Sequence, residues 1–323
     1  MRLTFTITRF NPETDPHPHD EPYRLDVGRG WTVLEALIRI KHEQDGSLAL
    51  RYSCRSAICG SCAMDINGAE KLACRTSVRK ELERHGHVTV APLRNFPVIK
   101  DLVVDMAAFW GKVRAVTPWL SASLHTQPGQ PVRQMTLSRD RYQFHNVDAC
   151  IMCGACVAAC ASHEVSRGFL GPAALAKAER FLADPREPVD AKRTRLRFLE
   201  QPDGIWDCTR CNFCVEVCPK DVQPMEAIIR LRRATIEAGL TRSGGARHIT
   251  GFMTLIRRGG RLNEALMPLQ VVGFNLRRLL HVLPLGLRML WNGKVPSPLA
   301  PPIPGIAQIR NIFHSFGRLK RIS

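Results

Sequence analysis

The twelve cysteines of this 323-residue chain fall into three groups of four, with none left over. The first group is Cys54, Cys59, Cys62 and Cys74, spaced C-x4-C-x2-C-x11-C. The second is Cys150, Cys153, Cys156 and Cys160, and the third is Cys208, Cys211, Cys214 and Cys218 with Pro219 directly after. Both of these read C-x2-C-x2-C-x3-C. In a reducing compartment, cysteines so grouped are metal ligands rather than disulfides.

Each spacing selects a chemistry. The first is the plant-type [2Fe–2S] pattern, in which a loop wraps the cluster and the fourth ligand returns from a distant point. Gly60, between two of the ligands, permits the close backbone approach that such a loop demands. A zinc ribbon fits C-x4-C-x2-C poorly. The other two groups are bacterial two-cluster ferredoxin runs. In such a run the first three cysteines bind one cubane, while the fourth, one helical turn on, faces the other. The expected ligand sets therefore cross: Cys150, Cys153, Cys156 and Cys218 for one [4Fe–4S] cluster, and Cys208, Cys211, Cys214 and Cys160 for the second. Crossed ligation ties distant segments together, so the apo-protein is expected to lose this part of the fold. Four-thiolate ligation leaves no open iron for hydratase chemistry, and one-electron relay remains, with no catalytic residue expected in this chain.

The elements that must position these groups are legible in outline. Leu3, Phe5 and Ile7 alternate with threonines, and Tyr23, Leu25 and Val27 repeat the pattern across the polar stretch Asn11 to Pro22, which predicts two strands of a hairpin. Thr32-Val33-Leu34-Glu35 is a capping box opening a helix with Leu34, Leu37 and Ile38 on one face. Ala63 to Ile66 reads as a strand closed by Asn67-Gly68, and Val88 to Val90 as the last strand. From Ile99 to Val116 the pattern is helical, followed by a Pro/Gly/Ser/Gln-rich connection from Pro118 to Pro131. The next stretch carries helices over Ala173 to Leu182 and Met225 to Glu237 and no strand alternation. The expected fold class is α+β: a β-grasp plant-type [2Fe–2S] ferredoxin domain (1–98), an all-α double-cubane ferredoxin domain (99–240) and a basic helical and proline-rich C-terminal extension (241–323).

The charge is uneven. Thirteen of the 46 Lys/Arg but only one acid, Glu264, lie from Thr241 onward, so +12 of the net +17 belongs to the last 83 residues. Leu266, Leu269 and Val272, then Leu276, Leu279, Leu280 and Leu283, recur at helical steps, with Arg277, Arg278 and Arg288 among them. Such a helix suits a partner or a cytoplasmic membrane surface rather than a span. Met1 to Phe10 shows no basic-then-apolar leader, and no run of about 18 uncharged apolar residues occurs, so an intracellular chain is expected. Nucleic acid is not expected as a partner, because the basic tail lacks interleaved aromatics.

With the three cysteine groups placed, residues 1–240 resemble the iron–sulfur subunit of succinate dehydrogenase and fumarate reductase. The resemblance is carried by Arg51 to Cys62 (RYSCRSAICGSC), by Leu93 to Met106 (LRNFPVIKDLVVDM), by Phe169 to Leu175 and by Arg180 to Asp184. It implies a flavoprotein partner holding FAD that interconverts succinate and fumarate, with electrons passing from FAD through the [2Fe–2S] to the two further clusters. Two departures stand out. Common members have no cysteine at the position of Cys211 and hold a [3Fe–4S] cluster there; Cys211 points to [4Fe–4S] instead. Common members also line a quinone pocket with a tryptophan and a histidine, where this chain has Ala161 to Val165 and Thr209. The tail, with Ile256 to Glu264, Pro284 to Leu287 and Gly293 to Pro296, resembles heterodisulfide-reductase C-type subunits and the non-classical (class E) succinate dehydrogenases. That implies an acceptor subunit with CCG domains, or a membrane-anchor subunit, and a chain peripheral on the cytoplasmic face of the inner membrane. The competing function is an electron carrier for a heterodisulfide-reductase-like or 2-hydroxy-acid-oxidising complex.

Among the remaining residues, Arg55 reads as a surface arginine or a tuner of the first cluster, and His163 as a helix-surface histidine or, near Cys160, a group for proton or quinone chemistry. His17 and His19 sit in a proline-rich loop with no expected role. Trp31, Trp110, Trp119 and Trp206 read as packing residues.

Overall fold

The computed structural model describes residues 2–121, 144–273, 276–294, 297, 299 and 301–319. It divides into two compact units, Met1–Ala234 and Thr235–Ser323.

The first unit opens with a mixed five-stranded sheet in the order β2-β1-β5-β3-β4. β1 (Arg2–Arg9) and β2 (His19–Asp26) form the expected antiparallel hairpin, with Phe5 opposite Tyr23. β5 (Val88–Ala91) lies parallel to β1 and antiparallel to β3 (Ala63–Ile66). β3 turns into β4 (Ala69–Leu72) through Asn67 (φ 53°) and Gly68 (φ 77°), the two left-handed residues that a type I′ turn requires. Across the sheet lies α1 (Val33–Glu43), opened by the capping box: Glu35 N donates to Thr32 Oγ1 at 3.3 Å, and Thr32 N donates to Glu35 Oε2 at 2.7 Å. Its Leu34, Leu37 and Ile40 bury against Phe5, Ile7 and Leu25. Each such side chain contributes roughly 1.5–3 kcal/mol. A second helix, α2 (Val78–His85), precedes β5.

The helix expected from Ile99 onward begins later. Val98–Lys100 (β6) and Val103–Val104 (β7) form a two-stranded sheet, and α3 covers only Ala107–Ala115. The reason is Asp101, fully buried at φ 46°. Its carboxylate accepts from Phe10 N at 3.0 Å, Ala49 N at 2.7 Å and the buried Arg9 Nε at 2.9 Å. These long-range bonds pin the segment to the end of β1 and to Ala49, and outweigh its helical pattern.

Among the described residues, the rest of the first unit is helical. α4 (Ala155–Ala158), α5 (Ala161–Val165), α6 (Pro172–Leu182), α7 (Val189–Leu199), α8 (Phe213–Glu216) and α9 (Pro224–Glu237) follow in order. The core gathers Phe109, Val113, Val157, Phe169, Leu175, Leu199, Ile205 and Leu231. The Pro118–Pro131 connection lies outside the described residues beyond Ser121.

The second unit carries α10 (Gly244–Gly259), α11 (Met267–Val272), α12 (Leu276–Trp291) and α13 (Ile306–Leu319). The leucine-rich run is thus not one helix: α11 stops at Gly273, whose φ of 60° ends the turn. Residues 295, 296, 298 and 300 of the proline-rich stretch lie outside the described residues. Among the described residues, no helix is long and apolar enough to cross a membrane.

Candidate iron–sulfur centres

The first group sits on a loop built from left-handed residues: Arg55 (φ 55°), Ala57 (φ 54°) and Gly60 (φ 74°). That backbone turns successive amides onto the thiols. Ser56 N, Ile58 N and Cys59 N point at Cys54 Sγ (3.4, 3.3 and 3.3 Å), while Ala57 N points at Cys74 Sγ (3.3 Å). Such a nest of N–H groups stabilises negative sulfur. Cys62 is buried beside Cys74, and burial pushes its pKa up to about 12. Cys59 lies at the surface, where hydrogen bonds from the Ser61 side chain and the Cys54 amide bring it down to about 6. Arg55 is exposed, its guanidinium 5.4 Å from the Tyr52 ring centroid.

The second and third groups repeat one local structure. Met152 (φ 55°) and Gly154 (φ 85°) flank Cys153, as Arg210 (φ 59°) and Asn212 (φ 74°) flank Cys211. Short helices follow, with Cys156 on α4 and Cys214 on α8, and the fourth cysteine of each run comes just beyond. At Cys160 the chain has left α4 on extended backbone (φ −85°, ψ 109°). One small cavity is lined by Cys150, Cys153, Cys156 and Cys218, and another by Cys160, Cys208, Cys211 and Cys214. Each cavity thus gathers three thiols of one run and the fourth of the other.

Burial dominates the electrostatics of both sets. Burial raises Cys153 to about 11 and holds Cys156 well above the ordinary thiol value, the latter also feeling Cys153, Cys150 and, from the neighbouring set, Cys214. Burial and the thiolates of Cys208, Cys160 and Cys211 raise Cys214 to about 12. Among the described residues, no three or more His, Cys, Asp or Glu are gathered to hold a single metal ion. Four-thiol sets arranged around cavities, with amides aimed at sulfur, fit polynuclear iron–sulfur clusters better than mononuclear zinc.

Several positioning residues escape sequence reading. Asn95 (φ 65°) donates from Nδ2 to the carbonyls of Val157, Ala158 and Cys160 at 3.1, 2.9 and 3.2 Å, tying the interdomain segment to the end of α4. Arg232 donates to the carbonyls of Ile205, Trp206 and Cys208 at 2.8, 3.2 and 2.7 Å. Only the tolerance of asparagine for left-handed backbone could have marked Asn95. His163 is buried rather than on the helix surface, its Nδ1 3.2 Å from the Phe169 carbonyl and 3.4 Å from Lys112 Nζ. Burial and the Lys112 ammonium push its pKa down, which favours the neutral ring. Trp31 and Trp206 pack on the cores as expected, but Trp110 and Trp119 are 41% and 47% exposed.

Comparison with known proteins agrees with this architecture. A family model for a 2Fe-2S iron-sulfur cluster binding domain matches residues 4–111, and one for a 4Fe-4S dicluster domain matches residues 146–222. Fold and site therefore define an iron–sulfur protein with a [2Fe–2S] domain followed by a [4Fe–4S] dicluster domain.

The fumarate reductase iron-sulfur subunit of Haemophilus influenzae is 39% identical over 236 residues, 70% of this chain and 90% of the relative. That of Mycobacterium tuberculosis is 41% identical, over 72% and 92%. The mitochondrial succinate dehydrogenase [ubiquinone] iron-sulfur subunit 1 of Oryza sativa is 36% identical, over 73% and 83%. Among solved structures, a chain of the Mycobacterium smegmatis Sdh1 complex in the apo form aligns with a TM-score of 0.65 and 26% identity, covering 75% of this chain and 98% of that one. The chain belongs to the family of succinate dehydrogenase and fumarate reductase iron–sulfur subunits. Its function is electron relay within such an oxidoreductase.

Proposed function

We propose that this chain is the non-catalytic relay subunit of a succinate-oxidising or fumarate-reducing complex, with three four-cysteine sites. Cys54, Cys59, Cys62 and Cys74 hold a [2Fe–2S] cluster. Cys150, Cys153, Cys156 and Cys218 hold a [4Fe–4S] cluster, and Cys160, Cys208, Cys211 and Cys214 hold a second one. The observation that carries this assignment is the exchange of fourth ligands: Cys218 lines the cavity of the second group, and Cys160 that of the third. When bound, the clusters supply reversible one-electron oxidation and reduction. The chain's own part is to hold the thiols, supply amide donors to sulfur and keep the three sites in fixed order.

Domain limits of 1–98, 99–240 and 241–323 accompany this reading. The donor is an FAD-bearing flavoprotein, as the family relation supports. On the acceptor side, Val165 is 91% exposed, and Thr209 N donates to Ser162 Oγ at 3.3 Å, where the common family has its pocket tryptophan and histidine. Those residue types favour delivery to a further redox protein, a CCG-domain subunit, on the cytoplasmic face of the membrane. Affinity purification of the native complex through a tag on this chain tests the whole assignment. It should bring down a flavoprotein with succinate–fumarate activity and a cysteine-rich acceptor. Recovery of a 2-hydroxy-acid-oxidising flavoprotein instead would overturn the proposal.

A further inference from the structure

α12 (Leu276–Trp291) presents an apolar stripe to solvent. At about 100° per residue, Leu276, Leu280, Leu283, Leu287, Leu290 and Trp291 fall on one side of the helix. Their exposure runs from 47% for Leu283 to 93% for Trp291. Arg277, His281 and Arg288 fall on the other side, together with Leu285. A surface helix that packs on its own chain buries such a stripe. In the same unit Leu255, Met267 and Val272 are buried, whereas every described side chain of α12 is exposed.

From this we infer that α12 is an interfacial helix that lies along an anionic lipid bilayer, its leucine face in the headgroup–acyl boundary. Three observations point to lipid. The first is charge: after Glu264 the chain carries no acid, while eight Lys/Arg follow in the last 59 residues. A cationic field without interspersed acids suits a diffuse anionic surface, whereas protein interfaces use charges of both signs to fix register. The second is Trp291, the most exposed residue of the stripe, at the C-terminal end of the helix, where an amphipathic ring can settle at headgroup level. The third is length. Sixteen residues make a rod of about 24 Å, shorter than the roughly 30 Å hydrocarbon core, so the helix can lie on the membrane but not span it. This inference is independent of the cluster assignment, because no cysteine lies beyond Cys218.

The test is co-sedimentation of the full-length, cluster-loaded chain with vesicles of phosphatidylcholine alone and of equal parts phosphatidylcholine and phosphatidylglycerol. Binding should require phosphatidylglycerol and weaken as salt rises. The combined variant Leu280→Glu, Leu283→Glu, Leu287→Glu should lower vesicle affinity at least about tenfold, because it places charge at the acyl boundary. Leu285→Glu, an equally exposed leucine on the opposite side, should change affinity by less than about twofold. Unchanged cluster absorption in both variants establishes that the rest of the protein is intact. Failure of the wild-type chain to bind phosphatidylglycerol vesicles at low salt would overturn the inference. So would a triple variant that keeps vesicle binding but loses self-association or its acceptor subunit, since the stripe would then belong to a protein interface.

Discussion

Gly60 and Cys153, which belong to different thiol groups, touch: a Cβ on Gly60 would stand 2.8 Å from the Cβ of Cys153 and 3.1 Å from the Ile151 carbonyl oxygen. The loop of the [2Fe–2S] domain is thereby pressed directly onto the first cubane loop. Arg75, beside Cys74, reinforces the contact by donating to the Pro219 carbonyl, beside Cys218, at 2.9 Å. Gly60→Ala would meet both this clash and a left-handed φ of 74°, the latter alone costing about 1–2 kcal/mol. The variant should still assemble its first cluster, judged by iron content and EPR, but reduce the cubanes more slowly when electrons enter at the flavoprotein. Wild-type reduction rates in Gly60→Ala would mean that this contact does not set the spacing of the sites.

The third cluster is expected to be [4Fe–4S], because Cys211 lines the same cavity as Cys160, Cys208 and Cys214. EPR of the intact, oxidised complex should lack a stoichiometric [3Fe–4S] signal, and Cys211→Ser should create one. A stoichiometric [3Fe–4S] signal in undamaged wild-type protein would refute the fourth ligand.

Arg232 places a buried cation over three carbonyls at the start of the third loop, its guanidinium 5.3 Å from the Trp206 ring centroid. A nearby cation favours the more negative, reduced form of a cluster. Arg232→Met should therefore lower the midpoint potential of the third cluster by about 60 mV, the one-electron equivalent of a tenfold change. Arg232→Lys should recover most of that potential while loosening the loop. Redox titration followed by EPR separates the two effects, and an unchanged potential in Arg232→Met would leave the residue a purely structural clamp.

Asp184 closes the C-terminal end of α6. It is fully buried and accepts from Arg180 Nη1 (2.8 Å) and from Arg186 N, Nε and Nη2 (3.0, 2.9 and 2.7 Å). Burial alone would raise its pKa, but the hydrogen bonds from Arg186 and Arg180 prevail and hold it well below the usual carboxylate range. A depressed folded-state pKa adds stability above the unfolded value of about 3.9, and that stability drains away as pH falls below it. Asp184→Asn should cost about 3 kcal/mol at neutral pH, by removing the buried charge that Arg180 and Arg186 share. The denaturation midpoint of the variant, followed by cluster absorption, should also depend less on pH below about 4 than that of wild type. Parallel acid profiles would show that other carboxylates dominate.

The thiol groups were legible because cluster ligation is encoded by short spacings along the chain. The expectation that Cys160 and Cys218 change places rests on the same short pattern, and the cavity linings accord with it. The capping box at Thr32 and the turn at Asn67-Gly68 also act within four residues of themselves. Less local features were misread or missed. α2 (VRKELERH) and α7 (VDAKRTRLRFL) carry too few apolar residues to announce a buried face. His163 looked like a surface residue because nothing near it in sequence indicates that Lys112 and Phe169 enclose it. Ile99 to Asp105 kept a helical pattern that Arg9 and Asp101, 92 residues apart, overrule. Asn95, Arg232 and the Gly60–Cys153 contact likewise join groups distant in sequence. The sequence by itself thus determined which thiols are available and how each loop turns around them. Only the tertiary structure decided which loop presses on which, because burial and long-range hydrogen bonds are properties of the packed chain and leave no periodic mark along it.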